Sequence, residues 1–179
     1  MPSPVGHALG GIAIGYLATG RRPLDRPLVA AVLFAALGTF PDVDVLVEGT
    51  HRLYTHSLVA VALAGLTVAL AGGATGHRLG LSTLRLACVC AAAYGSHVLL
   101  DWLGDDRSVP IGIRALWPFT DTYYQSDLRL FPPVERRYWL PGFWTANLHA
   151  IGWEFAVLGP CALLAAWTQR GRRRARQYR

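Results

Sequence analysis

Residues 82–103 read STLRLACVCAAAYGSHVLLDWL, with one Arg near the start and one Asp near the end. A helix crossing a bilayer needs ~20 predominantly apolar residues, and this stretch supplies them. Four more apolar runs lie at residues 4–19, 28–40, 57–74 and 150–168. The runs at 57–74 and 150–168 also reach spanning length. The first two are short, suited to tilting or to packing against the others. Gly6, Gly10, Gly11 and Gly15 place small residues at i,i+4 spacing in the first run, which favours close helix–helix contact in lipid.

Composition agrees. Of 179 residues, 53% are hydrophobic and 16% charged, with mean hydropathy +0.31. About a quarter charged is ordinary for a soluble protein. A disordered chain, a coiled coil and a disulfide scaffold are excluded. Cys88, Cys90 and Cys161 all sit in apolar runs and read as small hydrophobes rather than as ligands or a disulfide framework. Residues 1–6 carry no basic side chain, so the first run lacks the n-region of a signal peptide and is expected to be retained. The expected architecture is all-α: an integral membrane bundle of four or five helices.

The net charge is +6, and all 17 basic residues are Arg. Arg21, Arg22, Arg26, Arg78, Arg85 and six Arg of the last ten residues fall on one side if the five runs alternate. Short basic loops mark the cytoplasmic side. The tail, residues 170–179, is therefore expected in the cytoplasm and the N-terminus outside, across the cytoplasmic membrane. Nucleic acid is not the expected partner; membrane lipid is. Residues 104–149 have no clear period but hold 9 of the 19 aromatic residues, among them Trp117, Phe119, Tyr138, Trp139 and Trp144. Aromatic side chains favour the headgroup layer, so the segment reads as an aromatic-rich extracytoplasmic cap on one membrane-embedded domain, residues 1–169.

The ionisable residues cluster under the same alternation. His7 begins the first run. Asp42 and Asp44 (FPDVD) follow the second, and His51 and His56 (HRLYTHS) precede the third. His97 and Asp101 (HVLLD) close the fourth, four residues apart and so on one helix face. His149 precedes the fifth. All fall at one membrane face. Four His and three Asp converging from separate helix ends suggest a divalent metal site, because ionisable groups near the bilayer are costly and usually functional. Imidazole and carboxylate without thiolate suit Zn²⁺, with Mn²⁺ also possible. Seven candidates exceed one tetrahedral site, so one or two ions are expected, with an Asp shared between two. Such a pair suits phosphoryl chemistry. Arg52, between the candidate ligands, is placed to clamp a phosphate, while Glu154 reads as an outer partner bonded to His149 or Asn147.

The order His7, FPDVD, HRLYTHS, HVLLD, then ALWPF (residues 115–119) resembles the YdjM-like family of inner-membrane proteins, described as membrane-bound metal-dependent hydrolases. These motifs run from about Pro2 to Trp117. That family is in turn similar to zinc-dependent phospholipase C and the fungal single-strand nucleases, helical enzymes that cleave phosphoesters with a zinc cluster. The resemblance implies that His7 is the early His ligand, one of Asp42 and Asp44 the bridging Asp, and His51 or His56 the next His. His97 and Asp101 match the His-x-x-x-Asp pair. Those soluble enzymes also use an N-terminal Trp amine and a late His-x-x-x-Glu. Here the chain begins Met1–Pro2, and His149 and Glu154 are five apart, which argues against three metals.

The expected function is a membrane-bound hydrolase acting on phosphoesters of lipids or lipid-linked molecules at the outer face. His7, Asp42, Asp44, His51, His56, His97 and Asp101 are its expected ligands, Arg52 its phosphate clamp, and an Asp of the pair Asp42 and Asp44 its base. The alternative is a non-catalytic membrane protein in which the same cluster pins helix ends together.

Overall fold

Ser3 opens the first helix by accepting a hydrogen bond at Oγ from the Gly6 amide at 3.3 Å, and Pro4 takes the first helical position, where its missing N–H costs nothing. The computed structural model describes residues 1–46 and 52–178. Its elements are α1 (Pro4–Ala18), α2 (Pro27–Thr39), a 3-10 helix (Phe40–Leu46), α3 (Leu58–Ala71), α4 (Gly73–Leu79), α5 (Thr83–Leu103) and α6 (Phe143–Gln177). There is no strand among the described residues, only two isolated bridges, Gly104 with Phe131 and Ile113 with Tyr124. The protein is an all-α membrane protein.

The five apolar runs correspond to α1, α2, α3, α5 and α6. Two differ from the lengths read in sequence. The second run gains length because α2 passes directly into the 3-10 helix; Pro41 cannot continue an α-helical ladder, and the chain tightens instead of stopping. Together they form a 20-residue apolar segment. The third run falls short as a straight helix, because the chain bends by 85° at Gly72 between α3 and α4. Among the described residues, three helices are long and apolar enough to cross a membrane, or four if the bent pair counts as one; α1 is shorter.

Alternation up and down the bundle places Pro4, Thr39, Leu58, Leu103 and Phe143 at one end. α1 is its centre, packed on α2, α5 and α6. α1 and α6 run parallel in register: Ser3 meets Glu154, Thr19 meets Gln169 and Gly20 meets Arg172, at sequence offsets of 151, 150 and 152. Small residues let the backbones meet. A Cβ on Gly11 would lie 3.1 Å from Gly38 Cα, and one on Gly38 3.0 Å from Gly11 Cα, so α1 and α2 touch where neither has a side chain. The apolar core, with Phe34, Leu79, Leu86, Val89 and Ala93, fills the Arg-rich end. Facing outward are apolar side chains such as Leu28 (77% exposed) and Leu70 (80% exposed), the surface a bilayer covers. Cys90 is buried, whereas Cys88 and Cys161 are exposed, and all three are free.

α6 continues without a break through the basic residues Arg170 to Arg176. Residues 104–142 return over the end of α5 through Asp105 N–H to Phe131 O (2.8 Å) and Ser126 N–H to Trp102 O (2.8 Å). Phe119, Tyr138, Trp139 and Trp144 are exposed.

Candidate metal centre

One turn inside the end of α5, His97 and Asp101 project from the same face toward the start of the 3-10 helix and the turn before α3. His97 Nδ1 lies 2.7 Å from Gly38 O. A carbonyl only accepts, so Nδ1 carries the proton and Nε2 presents its lone pair inward. His56 is held similarly. Thr55 Oγ1 donates to Asp44 Oδ2 at 2.6 Å, so it accepts from His56 Nδ1 at 3.0 Å, with Asp44 Oδ2 3.3 Å from the same nitrogen. Both imidazoles thus aim Nε2 into one space, 2.9 Å apart.

Two carboxylates complete that space. Asp101 Oδ2 is 3.2 Å from Nε2 of both His56 and His97. Asp42 Oδ1 is 3.6 Å from His56 Nε2 and 3.7 Å from His97 Nε2. Ligand atoms about 2.0–2.1 Å from a tetrahedral ion stand about 3.3 Å apart, the scale of these separations. The other oxygen of Asp101 turns to a third imidazole: Oδ1 is 3.2 Å from His7 Nε2. His7 stacks on His97, ring centroids 3.7 Å apart at 19°.

Burial tests the fit. His56, His97 and Asp101 are fully buried and His7 is 1% exposed. Neither oxygen of Asp101 receives an aligned hydrogen bond, and His7 Nδ1 has no partner among the described residues. A fully buried carboxylate whose polar contacts are poorly aligned is costly unless a cation, an imidazolium or an ion, balances it. Burial opposes charging His56, yet the carboxylates of Asp101, Asp42 and Asp44 outweigh it and raise its pKa well above the usual 6.5. The carboxylates around His56 therefore favour one positive charge beside them, a proton on that imidazole or an ion in its place. Two overlapping groups, His7–His97–Asp101 and Asp42–His56–His97, have ligand atoms close enough for an ion.

The chain-wide comparison agrees with the motif order. The model of the YdjM inner membrane protein family matches residues 1–175. The chain belongs to that family. No curated protein and no solved structure matches it.

In this YdjM-family chain the remaining candidates take other places. Asp44 stands behind His56, on the Nδ1 side, where it also accepts from the Arg52 amide at 2.9 Å; it steadies the His56 ring rather than facing the common space. His51 lies outside the described residues. Arg52, offered to a phosphate by its position in sequence, has its guanidinium paired with Asp106 and is 7% exposed. It adopts a left-handed backbone, φ +68°, rare for a side-chain-bearing residue and held by these two carboxylates. Asp106 also accepts from Gly112 N–H at 2.8 Å and Ser108 N–H at 3.1 Å.

Glu154 bonds neither His149 nor Asn147. It is fully buried against the start of α1, accepting from Ser3 N–H and from Ser3 Oγ. His149, five residues earlier on α6, points about 140° around the helix and is exposed, while Asn147 accepts from Glu135 N–H at 3.0 Å. Sequence reading also missed Tyr94, one turn before His97, whose hydroxyl donates to Thr55 O at 2.8 Å and steadies the His56 turn. A Tyr on the His97–Asp101 face was the available signal.

Proposed function

We propose that this YdjM-family membrane protein is a metal-dependent hydrolase of phosphoesters carried on lipids or lipid-linked molecules. The observation that carries the reading is Asp101, fully buried, with neither oxygen in an aligned hydrogen bond and both 3.2 Å from imidazole nitrogens of His7, His56 and His97. It supports His7, Asp42, His56, His97 and Asp101 as ligands for one or two zinc ions, with manganese an alternative. When bound, a divalent ion supplies Lewis acidity and lowers the pKa of water at the site.

The chain's own residues do the rest. Gly38 O and Asp44 fix which nitrogen of His97 and His56 faces inward. Asp42 is the one member with a substantially exposed side chain, 27%, so substrate reaches the cluster past it, and its carboxylate takes the proton as general base. Arg52 keeps the turn in place through Asp44 and Asp106. The short Arg-rich loops and the end of α6 lie on the cytoplasmic side, which puts the cluster, and the exposed aromatic residues of segment 104–149, at the outer face.

Near-complete burial of four of these five groups favours a second reading, a closed structural site that pins helix ends. Turnover separates the two. Purified protein loaded with zinc or manganese is assayed for phosphate or headgroup release from phosphomonoester and phosphodiester lipids in mixed micelles. The hydrolase reading expects turnover that a chelator abolishes and that falls at least about 100-fold in Asp42→Asn. Metal retention without turnover on either substrate class supports the structural site instead.

A further inference from the structure

At the end of the bundle away from the His/Asp cluster, a groove of about 740 Å³ runs between α1, α2 and α6. Its walls are apolar, with Ile12 and Leu9 from α1, Leu28 and Ala31 from α2, and Ala162 and Leu163 from α6. Two polar side chains along it are satisfied internally: Tyr16 hydroxyl donates to Pro27 O at 2.7 Å, and Gln169 accepts from Leu24 N–H at 3.3 Å. Only the mouth is charged, lined by Arg170, Arg173 and Arg174.

These three Arg are distinct from their neighbours. Arg172 donates to Gly20 O and Arg176 pairs with Asp25 at 2.9 Å, so these two, four apart, dock α6 onto the turn between α1 and α2. Arg170, Arg173 and Arg174 stand at i, i+3 and i+4 on another stripe of the helix. They have no ion-pair partner among the described residues. We infer that this groove binds one anionic glycerophospholipid of the bilayer, an acyl chain lying between α1, α2 and α6 and the headgroup phosphate on Arg170, Arg173 and Arg174.

Length and charge select that occupant. The apolar wall of α6 from Phe155 to Ala166 is about 16 Å long at ~1.5 Å per residue, close to one leaflet of a ~30 Å hydrocarbon core. The first cation follows one turn later, at the depth where a headgroup begins. Basic pockets between membrane helices bind anionic headgroups in this way. A second copy of the chain would bring a further set of Arg side chains to the same mouth, which charge opposes.

The test uses the full chain in detergent, titrated with phosphatidylglycerol, phosphatidylcholine or chain-free glycerol phosphate, with retained lipid read by native mass spectrometry and stability by thermal melting. Phosphatidylglycerol is expected to be retained and to raise the Tm, with no comparable effect of the other two. The triple variant Arg170→Gln/Arg173→Gln/Arg174→Gln should weaken retention by about tenfold or more, whereas the exposed control Arg21→Gln/Arg22→Gln/Arg78→Gln should not. Gly159→Phe, at a position where an added Cβ meets nothing within 4 Å, should fill the groove and displace the lipid with all Arg in place. Equal retention of phosphatidylcholine, equal stabilisation by glycerol phosphate, or equal loss in the control variant would overturn the inference. So would a dimer that Gly159→Phe dissociates, since it would name a second copy as the occupant.

Discussion

Asp44 and Asp42 are two residues apart, yet they meet opposite sides of the same imidazole. Asp42 approaches His56 Nε2, and Asp44 approaches Nδ1. Their roles should separate on substitution. Asp44→Asn leaves the ligands in place but loosens the ring of His56, and metal affinity is expected to fall about 10–100-fold, measured by competition with a chromophoric chelator. Asp106 carries a different expectation. Burial opposes its ionisation, but hydrogen bonds from the Gly112 and Ser108 amides and the charge of Arg52 outweigh it, holding its carboxyl below the usual range. A carboxylate with a lowered folded pKa stabilises the fold above the unfolded value of about 3.9 and loses that contribution as pH falls through its own. Melting of chelator-treated protein between pH 5 and 3 should therefore steepen through Asp106. Asp106→Asn should flatten that limb while lowering stability at pH 6. Which carboxylate faces the ligand space was not legible in the sequence, because FPDVD sits on a 3-10 helix whose tighter turn changes where alternate residues point. The pair His97 and Asp101 was legible, because an α-helix repeats its face every four residues.

Among the elements, α1 links the site to the rest of the bundle. Gly11 and Gly38 let α1 touch α2 at the level where Gly38 O also meets His97 Nδ1 of α5, while Ser3 at the head of α1 is fixed by Glu154 of α6. Gly38→Leu should force the two helices apart at a cost of about 1–3 kcal/mol, lowering the Tm, and should weaken metal binding although no ligand is altered. Retention of wild-type metal affinity in a folded Gly38→Leu protein would disconnect helix contact from the site. The apolar runs announced α1, α2, α3, α5 and α6, and the glycine spacing announced close packing. The bend at Gly72 and the extension of α2 past Pro41 were hidden, because they depend on how the chain turns rather than on how apolar it is. The partner of Glu154 was hidden for a related reason: 151 residues separate it from Ser3, and nothing local in either segment points to the other.

Across the whole molecule, two chemistries occupy opposite ends of one bundle. Asp and His gather where α5 ends and α1 begins; Arg gathers where α1 ends and α6 leaves. Alternation of the apolar runs was enough to foresee this segregation, because it needs only the order of the segments. The proposed orientation, with the His/Asp end outward, rests on the Arg-rich short loops, and accessibility checks it. In a cysteine-free background, Phe119→Cys should react with a membrane-impermeant maleimide on intact cells, and Tyr178→Cys only after permeabilisation. The reverse pattern would place the His/Asp end inside.

Metal content per chain tests the account most directly. Detergent-purified protein is reconstituted with zinc or manganese, freed of loosely bound ions and measured by plasma mass spectrometry, wild type beside His97→Ala, with circular dichroism confirming that both remain helical. One or two equivalents in the wild type, lost in His97→Ala, is the predicted result. A wild type that retains no metal after reconstitution, or a folded His97→Ala that retains as much, would contradict it and leave the cluster as a hydrogen-bonded network of buried His and Asp.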